Sequence, residues 1–472
     1  MGTMNQLPDR NSNADAWEAA RVLVESSCGP IDAWLAKHQQ VLVGMRRHLH
    51  MYPEPSGQEQ DTTVYLSERL SEVGVSAVVL RDGLGLVADA VIGDPGPDAP
   101  RVALRADIDA LKIQDSKSLD YRSCHDGVMH ACGHDVHASI VMGIAMAVAE
   151  AAGETRLEPG LGMHLRYLFQ PAEEICLGAK WLIEQGVLDG VDAILGLHVD
   201  PESDSGRIGV RYGPLTAVCH EVEIRIRGEG GHAARPHQAR DPLAAAVSLA
   251  SNLYTQLPRT VDSRHPSVFS IGRFSGGTLS NVIPDEVEIL GSLRTVAEGD
   301  DILLQEAICR IAAGVSSVTG TEIEVSFRAS LEAVRNDSRV TRAIEEAALA
   351  VVGDGMEERV EGDEDGEGCG AVWRIAEPSM GGEDFSAYQQ LVPGSMFRLG
   401  TREPGQASHL LHTPGFDIDE TSLVPGARVM IRAALLWGFA HQADPGTGST
   451  GVAGRDNGRE ASGSRLETGP GG

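Results

Sequence analysis

The chain has 472 residues and a formal net charge of −29, and 42% of its residues are hydrophobic but only 4% aromatic. Its length predicts two domains, with enough apolar residues for sizeable cores. The negative charge and the scarcity of aromatic side chains argue against nucleic acid or an anionic membrane as a partner, because phosphate groups are repelled and stacking surfaces are few.

The cysteines and the N-terminus indicate the compartment. Seven cysteines occur without paired spacing, which favours a reducing environment over a disulfide framework. The polar N-terminus lacks the features of a signal peptide, and no run approaches the roughly 18 apolar residues that span a membrane. We therefore expect a cytoplasmic location.

Three segments have compositions that do not build a core. Residues 1–30 are polar and irregular, and residues 443–472 are rich in Gly and Ser, so we predict a disordered head and a disordered tail. The acidic, Gly-rich segment 361–370 is interpreted as a solvated loop. The alternative, a calcium-binding loop, requires a ligand spacing that this segment lacks.

Strands and helices alternate between the two ends. Apolar strands are predicted at RVALRAD, LRYLFQ and DAILGLHV, and helical periodicity follows in HASIVMGIAMAVAEAA. This alternation predicts an α/β domain with a mostly parallel sheet flanked by helices, formed by residues 31–216 and 329–442.

Residues 217–328 have a different pattern. In CHEVEIRIRG, Val222, Ile224 and Ile226 alternate with charged residues, as in a half-exposed strand of an antiparallel sheet. A helix, two strands, a second helix and a further strand are predicted to follow. We interpret this segment as a smaller α+β domain inserted into the larger one.

The sequence MHACGHDVH brings Cys132 and His134 together just before a predicted helix. Thiolate and imidazole ligands suit zinc or a similar divalent metal, and a helix N-terminus favours the thiolate. The alternative is an inert cysteine with structural histidines at a helix start.

Glu173 and Glu174 directly follow an apolar strand. Sites in open α/β sheets form at the carboxyl ends of strands, where one carboxylate can bind metal and its neighbour can take a proton from water. The alternative is an acidic first turn that stabilises a helix. His198 at a strand end, and His409 and His412 in a distant loop, are weak signals singly, but together these clusters predict one metal centre.

The segment RGEGGHAARPH matches a dinucleotide-binding fingerprint at Gly228, Gly230 and Ala233. The strand before it alternates polar and apolar residues, whereas a dinucleotide-binding strand is buried on both faces. No acidic residue ends a second strand about 20 residues later. We therefore rank a nicotinamide-dependent enzyme below a metal-dependent enzyme as an interpretation of this sequence.

Nine motifs follow one another along the chain: RRHLHMYPEPSGQE, ALRADIDAL, MHACGHDVHASIVMG, LFQPAEE, LGLHV, GEGGHAARPH, SNVIPDE, GGEDFS and LHTPGFDIDE. With these motifs in this order, residues 35–440 resemble the amidohydrolase branch of peptidase family M20, which includes N-acyl-amino-acid amidohydrolases, hippurate hydrolase and indole-acetyl-amino-acid hydrolases. The resemblance implies a zinc-peptidase-like α/β catalytic domain with a mixed, mostly parallel sheet, and an inserted α+β dimerisation or lid domain.

The resemblance also implies roles for single residues. Glu173 is the general base, and His232 polarises the substrate carbonyl or stabilises the oxyanion, reaching the partner subunit's site. Asn281 bonds the substrate, and Arg294 binds its free carboxylate. The implied metal ligands, with the thiolate bridging, are Cys132, His134, Glu174, His198 and His412. No ligand role is implied for His48, His50 and His137, which are interpreted as structural or as supporting the ligands. Asp107 and Asp109 are candidates for residues that support the ligands.

The function that follows is hydrolysis of N-acyl amino acids, which are small-molecule substrates, by a homodimer or dimer of dimers. Two divalent metal ions per subunit are expected, zinc or manganese first, with nickel or cobalt as alternatives. Lys112 and Asp115 depart from the usual motif and leave the substrate preference open. The alternatives are a dipeptidase or carboxypeptidase with the same type of site, and an inactive metal-binding module.

Overall fold

The computed structural model describes residues 14–151, 157–353, 356–359 and 371–443. The helices are α1 (Ala14–Lys37), α2 (Gln39–Met51), α3 (Gln60–Glu72), α4 (His134–Ala151), α5 (Gly178–Ile183), α6 (Pro242–Gln256), α7 (Asp300–Thr319), α8 (Ser338–Val352), α9 (Ser386–Gln389) and α10 (Leu423–Ala443). The strands are β1 (Ala77–Val79), β2 (Leu86–Gly93), β3 (Arg101–Asp107), β4 (Gly162–Gln170), β5 (Ala193–Asp204), β6 (Ile208–Val210), β7 (Gly213–Pro214), β8 (Val218–Arg227), β9 (Gly231–His232), β10 (Ser267–Gly276), β11 (Val282–Ile283), β12 (Glu286–Thr295), β13 (Glu322–Leu331), β14 (Arg335–Asn336), β15 (Met356–Arg359), β16 (Val372–Ile375) and β17 (Gly394–Arg402).

A nine-stranded sheet in the order β1-β2-β4-β3-β5-β17-β6-β16-β15 forms the larger domain. Its centre is parallel, because β3 pairs in parallel with β4 and β5, and β5 with β17. β2 runs antiparallel to β4, and β6 runs antiparallel to β17. The predicted class, α/β with a mixed and mostly parallel sheet, is confirmed. Strand β3 is buried from Val102 to Asp107, which explains why its residues are apolar apart from the buried ion pair of Arg105 and Asp107.

Helix α4 lies in the interior of the larger domain. Its residues from His134 to Val148 are all buried, and it contacts α1, α2, α10 and β3. A helix that is apolar on all sides is buried in this way. Its N-terminus carries His134 to the end of β3, where His134 contacts Asp109.

A second, four-stranded antiparallel sheet has the order β10-β12-β8-β13. Its own core contains the apolar side of β8 and the inner faces of α6 and α7. The inserted α+β domain was predicted over 217–328, and the outermost strands in the sequence run from Val218 to Leu331. Because β8 pairs only antiparallel within this sheet, the parallel βαβ unit of a dinucleotide-binding fold does not form here.

The prediction of a disordered head over residues 1–30 was wrong for residues 14–30. These residues form most of α1, which packs against α10 and buries Trp17 and Cys28. The helix is stabilised by tertiary packing of one face, which local composition does not reveal. Residues 1–13, the acidic segment 361–370 and the tail from residue 444 lie outside the described residues.

Within the described part of the chain, two helices are long and apolar enough to cross a membrane by length and composition, which differs from the expectation drawn from the sequence. They are Asp300–Thr319 and Glu420–Ala443. In Glu420–Ala443, 83% of the most apolar 18-residue stretch is buried, as in a core helix. In the first, 28% is buried, and its inner face belongs to the core of the inserted domain.

Candidate metal centre

Four chain segments converge at the carboxyl edge of the large sheet. Glu173 and Glu174 follow β4, His198 lies in β5, and His134 begins α4. The loop after β17 adds His412. Because the central strands are parallel, their carboxyl ends meet at one edge, which is where sites form in this class of sheet.

The thiol of Cys132 lies between two imidazoles. Its Sγ is 3.4 Å from His198 Nε2 and 3.4 Å from His412 Nε2. His412 Nε2 is also 3.5 Å from Glu174 Oε1. Two groups of three donors share this thiol, one with His134 and His198 and one with Glu174 and His412, and the donor atoms within each group lie within 4.8 Å of one another. The two donor groups therefore meet at the Cys132 thiol.

Two buried polar atoms of this group have no hydrogen-bond partner among the described residues. They are His134 Nε2 and Glu174 Oε1, which are 4.0 Å apart. Buried polar atoms are nearly always bonded, so these two mark the position of a ligand. The surrounding thiol, imidazole and carboxylate donors fit a divalent metal ion of the zinc class.

The second nitrogen of each buried imidazole is held by an oxygen. His134 Nδ1 is 3.0 Å from the Asp109 carbonyl oxygen and 3.1 Å from Asp109 Oδ1, and His198 Nδ1 is 2.8 Å from the Val199 carbonyl oxygen. Such contacts orient Nε2 toward a metal. Asp109 Oδ2 also accepts the backbone N–H of Glu174 at 3.0 Å, so one carboxylate positions ligands from two segments.

Asp107 connects His134 to two further buried residues, Arg105 and His137. Its Oδ1 is 2.6 Å from His137 Nδ1, and its Oδ2 is 3.7 Å from His134 Nε2. Arg105 donates to Asp107 Oδ2 at 2.6 Å. Burial alone would raise the pKa of Asp107, but the charges of Arg105, His134 and His137 lower this pKa well below its usual value. Asp107 is thereby held as a carboxylate beside His134.

Glu173 is buried, with 7% of its surface exposed. Its Oε2 is 3.9 Å from His134 Nε2. Burial, followed by the negative charges of Glu383 and Asp384, raises the pKa of Glu173 well above that of an ordinary glutamate. A carboxyl group with a raised pKa can hold a proton near neutral pH and release it again, as a general acid-base group must.

Glu383 and Asp384 are parts of the site to which the sequence assigned no role. Both accept hydrogen bonds from Arg105 Nη2 at 3.0 Å, and Gln170 donates to Asp384 at 2.8 Å. Burial raises the pKa of Asp384 to about 7. The sequence signal was an acidic pair in the motif GGEDFS, which says nothing by itself about proximity to Glu173.

Two backbone positions beside the ligands have left-handed conformations. Gly133 has φ +84°, and a Cβ there would lie 2.5 Å from Val199 Cγ2. Ala172, which precedes Glu173, has φ 56°, and its N–H donates to Glu59 Oε1 at 2.8 Å. Strained conformations in residues other than glycine persist where the surroundings enforce them, often at functional sites.

The expected catalytic residue His232 and the expected substrate-binding residues Asn281 and Arg294 belong to the inserted domain. His232 is exposed in β9, and Asn281 is exposed just before β11, the partner strand of β9. Arg294 is half-buried and donates from Nη1 to the Met380 carbonyl oxygen at 2.5 Å, three residues before Glu383. The structure thus brings together the five expected ligands and Glu173, whereas His232 and Asn281 remain on the surface of this chain.

Comparison with known proteins gives four consistent matches. Residues 103–436 match the model of Peptidase family M20/M25/M40. The chain is 37% identical over 396 residues to an N-acetylcysteine deacetylase of Bacillus subtilis (84% of this chain, 96% of the relative). It is 33% identical over 396 residues to thermostable carboxypeptidase 1 of Saccharolobus solfataricus (82% and 92%). The crystal structure of a dinuclear metal-binding peptidase of the M20 family from Bacillus subtilis superposes with a TM-score of 0.69 at 34% identity (84% and 97%).

These matches confirm the resemblance inferred from the nine motifs and the enzyme class, a metal-dependent hydrolase of linear amides. The chain belongs to peptidase family M20/M25/M40, in its amidohydrolase branch.

Proposed function

We propose that this protein hydrolyses the amide bond of N-acyl amino acids to a carboxylic acid and a free amino acid. The observation that carries the proposal is the pair of donor groups that share Cys132 beside the buried carboxyl group of Glu173. Support for the substrate class comes from the N-acetylcysteine deacetylase, whose name describes an N-acyl amino acid as its substrate.

Two divalent metal ions fit the shared donor groups. Cys132, His134 and His198 would hold one, and Cys132, Glu174 and His412 would hold the other. When bound, such ions polarise the substrate carbonyl and make water more acidic. Zinc and manganese are the first candidates, and nickel and cobalt are the alternatives.

Glu173 is the proposed general base. It takes a proton from the attacking water and passes the proton to the nitrogen of the leaving amine. Its burial supports this role, because a group shielded from bulk water keeps the proton within the site. The raised pKa of Glu173 makes the first transfer, from water to the carboxylate, more favourable.

Residues of the inserted domain are proposed to bind the substrate. Arg294 grips the free carboxylate with two N–H groups, and Asn281 bonds the substrate amide. His232 donates to the developing oxyanion. Because His232 is exposed and belongs to a different domain from the ligands, we assign it to the site of the partner subunit in a homodimer, or in a dimer of dimers.

The proposed compartment is the cytoplasm. The six cysteines among the described residues are all free, as expected of a protein in a reducing environment.

A carboxypeptidase or dipeptidase activity is the second candidate. The observation that favours it is the 33% identity to thermostable carboxypeptidase 1. A peptide substrate would be cleaved by the same groups, and its free carboxylate would again be bound by Arg294. An inactive metal-binding module is disfavoured, because Glu173 is buried beside a complete donor set.

The test compares free acids with their carboxamides. Metal-loaded protein is assayed with N-acetyl, N-benzoyl and indole-acetyl amino acids, with dipeptides, and with the carboxamide of each good substrate. We expect N-acyl amino acids to be hydrolysed fastest and the free acid to be strongly preferred over its carboxamide. Arg294→Gln should remove most of this preference, whereas Arg273→Gln, a surface arginine paired with Glu288, should retain it. Equal hydrolysis of acid and carboxamide by the parent protein would contradict the assignment, and faster hydrolysis of dipeptides would replace it with a peptidase.

A further inference from the structure

Arg398 lies beside the metal-ligand group. In the parallel pairing of β17 with β5, Arg398 is the direct partner of His198. Neighbouring strands are about 4.8 Å apart, and paired residues extend their side chains from the same face of the sheet. His198 reaches Cys132 from that face. Arg398 therefore flanks the imidazole that completes one of the two donor groups.

The guanidinium group of Arg398 has no partner of opposite charge in the described ranges. It is half-buried between the buried residues Phe397 and Leu399, and the carboxylates of the described residues all lie beyond 4.0 Å. Nearby arginines differ in this respect. Arg402 on the same strand is 2.8 Å from Asp204, and Arg374 on β16 is 2.9 Å from Glu345. Partial burial of an unpaired cation carries a cost that a bound anion removes.

The guanidinium group of Arg398 places a positive charge on the strand next to His198. A divalent ion held by His198 would be repelled by this charge. An anion bound to Arg398 would neutralise that repulsion, and none of the described carboxylates is placed to do so.

We propose that Arg398 binds a second carboxylate of the substrate, so that the preferred substrates are dianionic N-acyl amino acids. The inference rests on the proposed function, in which Arg294 binds the first carboxylate. The two arginines belong to different sheets, with Arg294 in β12 and Arg398 in β17, and each takes its own carboxylate. The second carboxylate comes either from a dicarboxylic acyl group or from the side chain of an acidic amino acid.

The experiment measures kcat/KM for four compounds that separate these sources. N-succinyl-L-leucine carries the second carboxylate in the acyl group, and N-acetyl-L-glutamate carries it in the side chain. N-acetyl-L-leucine and N-acetyl-L-glutamine are their singly charged counterparts. We expect the parent protein to prefer one dianionic compound over its counterpart about 10- to 100-fold, the range of a charged hydrogen bond.

Arg398→Gln should reduce that preference to about 3-fold or less, with bound metal unchanged by elemental analysis. Arg402→Gln is the matched control, since it removes the same charge from the same strand, and it should retain the parent's preference. A preference for the succinyl compound identifies the acyl group as the source, and a preference for N-acetyl-L-glutamate identifies the side chain.

Equal kcat/KM for charged and uncharged members of both pairs overturns the inference and leaves the proposed function intact. Loss of metal in Arg398→Gln, with equal loss of activity on all four compounds, also overturns it, because Arg398 would then act on the centre alone. Calorimetric titration of the same compounds into metal-loaded Glu173→Gln protein measures the preference without turnover. Equal affinities of Glu173→Gln and of the double variant Glu173→Gln/Arg398→Gln reject the role of Arg398 even if the parent hydrolyses no compound, an outcome that separately rejects the proposed function.

Discussion

Glu173 and Glu174 are adjacent in the sequence but have different surroundings. Glu174 Oε1 lies 3.5 Å from His412 Nε2 and has no hydrogen-bond partner among the described residues. Glu173 is surrounded by Glu383 and Asp384, which raise its pKa after burial. Metal binding and proton transfer are therefore assigned to different members of the pair.

Substitution of each glutamate should separate the two roles. Glu173→Gln should keep its metal and lower kcat by about 10²- to 10⁴-fold or more, the usual effect of removing a general base. Glu174→Gln should lose metal first, because an amide is a poorer metal ligand than a carboxylate. Elemental analysis and steady-state kinetics measure both effects, with the exposed Glu184→Gln as control. Equal metal loss in both variants would show that the roles are not divided.

Single residues of the site differ in how far the sequence could predict them. The five expected ligands were identified by residue type and motif, and the structure brings their side chains together. Arg105, Glu383 and Asp384 could not be assigned, because their importance arises from contacts between β3 and the loop before α9. An unpaired charge such as Arg398 is likewise invisible until its neighbours are known.

Helices and strands could be predicted where burial produces a regular order of apolar and polar residues in the sequence. Strand β3 was predicted with the bounds that the structure has, because most of its residues are apolar and buried, and β8 was recognised by its alternating polar and apolar residues. Helix α1 was missed. Its apolar residues are separated by polar ones and Pro30 lies inside it, so its stability depends on contacts with α10.

The contribution of α1 to stability can be measured at one buried position. Leu35 is 0% exposed in the main core, so Leu35→Ala should lower the free energy of unfolding by about 2–5 kcal/mol. Val22 lies on the same helix but is 64% exposed, and Val22→Ala should change it by no more than about 0.5 kcal/mol. Urea denaturation measures the free energy of unfolding of both variants and of the parent protein. Equally small effects would mean that α1 is not part of the cooperative core.

The whole molecule divides its proposed functions between two domains. The large sheet carries the metal-ligand group and Glu173, and the inserted sheet carries Arg294 and His232. The motif order and the change in strand pattern were sufficient to predict this division. They could not show how the domains meet, because contacts such as that of Arg294 with Met380 join residues that are distant in the sequence.

Mixing two inactive variants tests whether His232 acts on the partner's site. A His232→Ala chain and a Glu173→Gln chain are each expected to be inactive alone. In a mixed dimer, one site combines an intact Glu173 with an intact His232 from the other chain. Random exchange between twofold dimers should therefore restore about one site in four. A mixture that stays inactive after demonstrated subunit exchange would place His232 outside the partner's site.

Metal titration of the chelator-treated protein is the most direct measurement of the proposed mechanism. Metal-free protein should not hydrolyse N-acyl amino acids. Added zinc or manganese should restore activity, which should reach its maximum at two bound ions per chain. Cys132→Ser should bind less metal and recover less activity, because both donor groups lose their shared ligand. Full hydrolysis by protein that elemental analysis shows to be metal-free would contradict the two-metal centre.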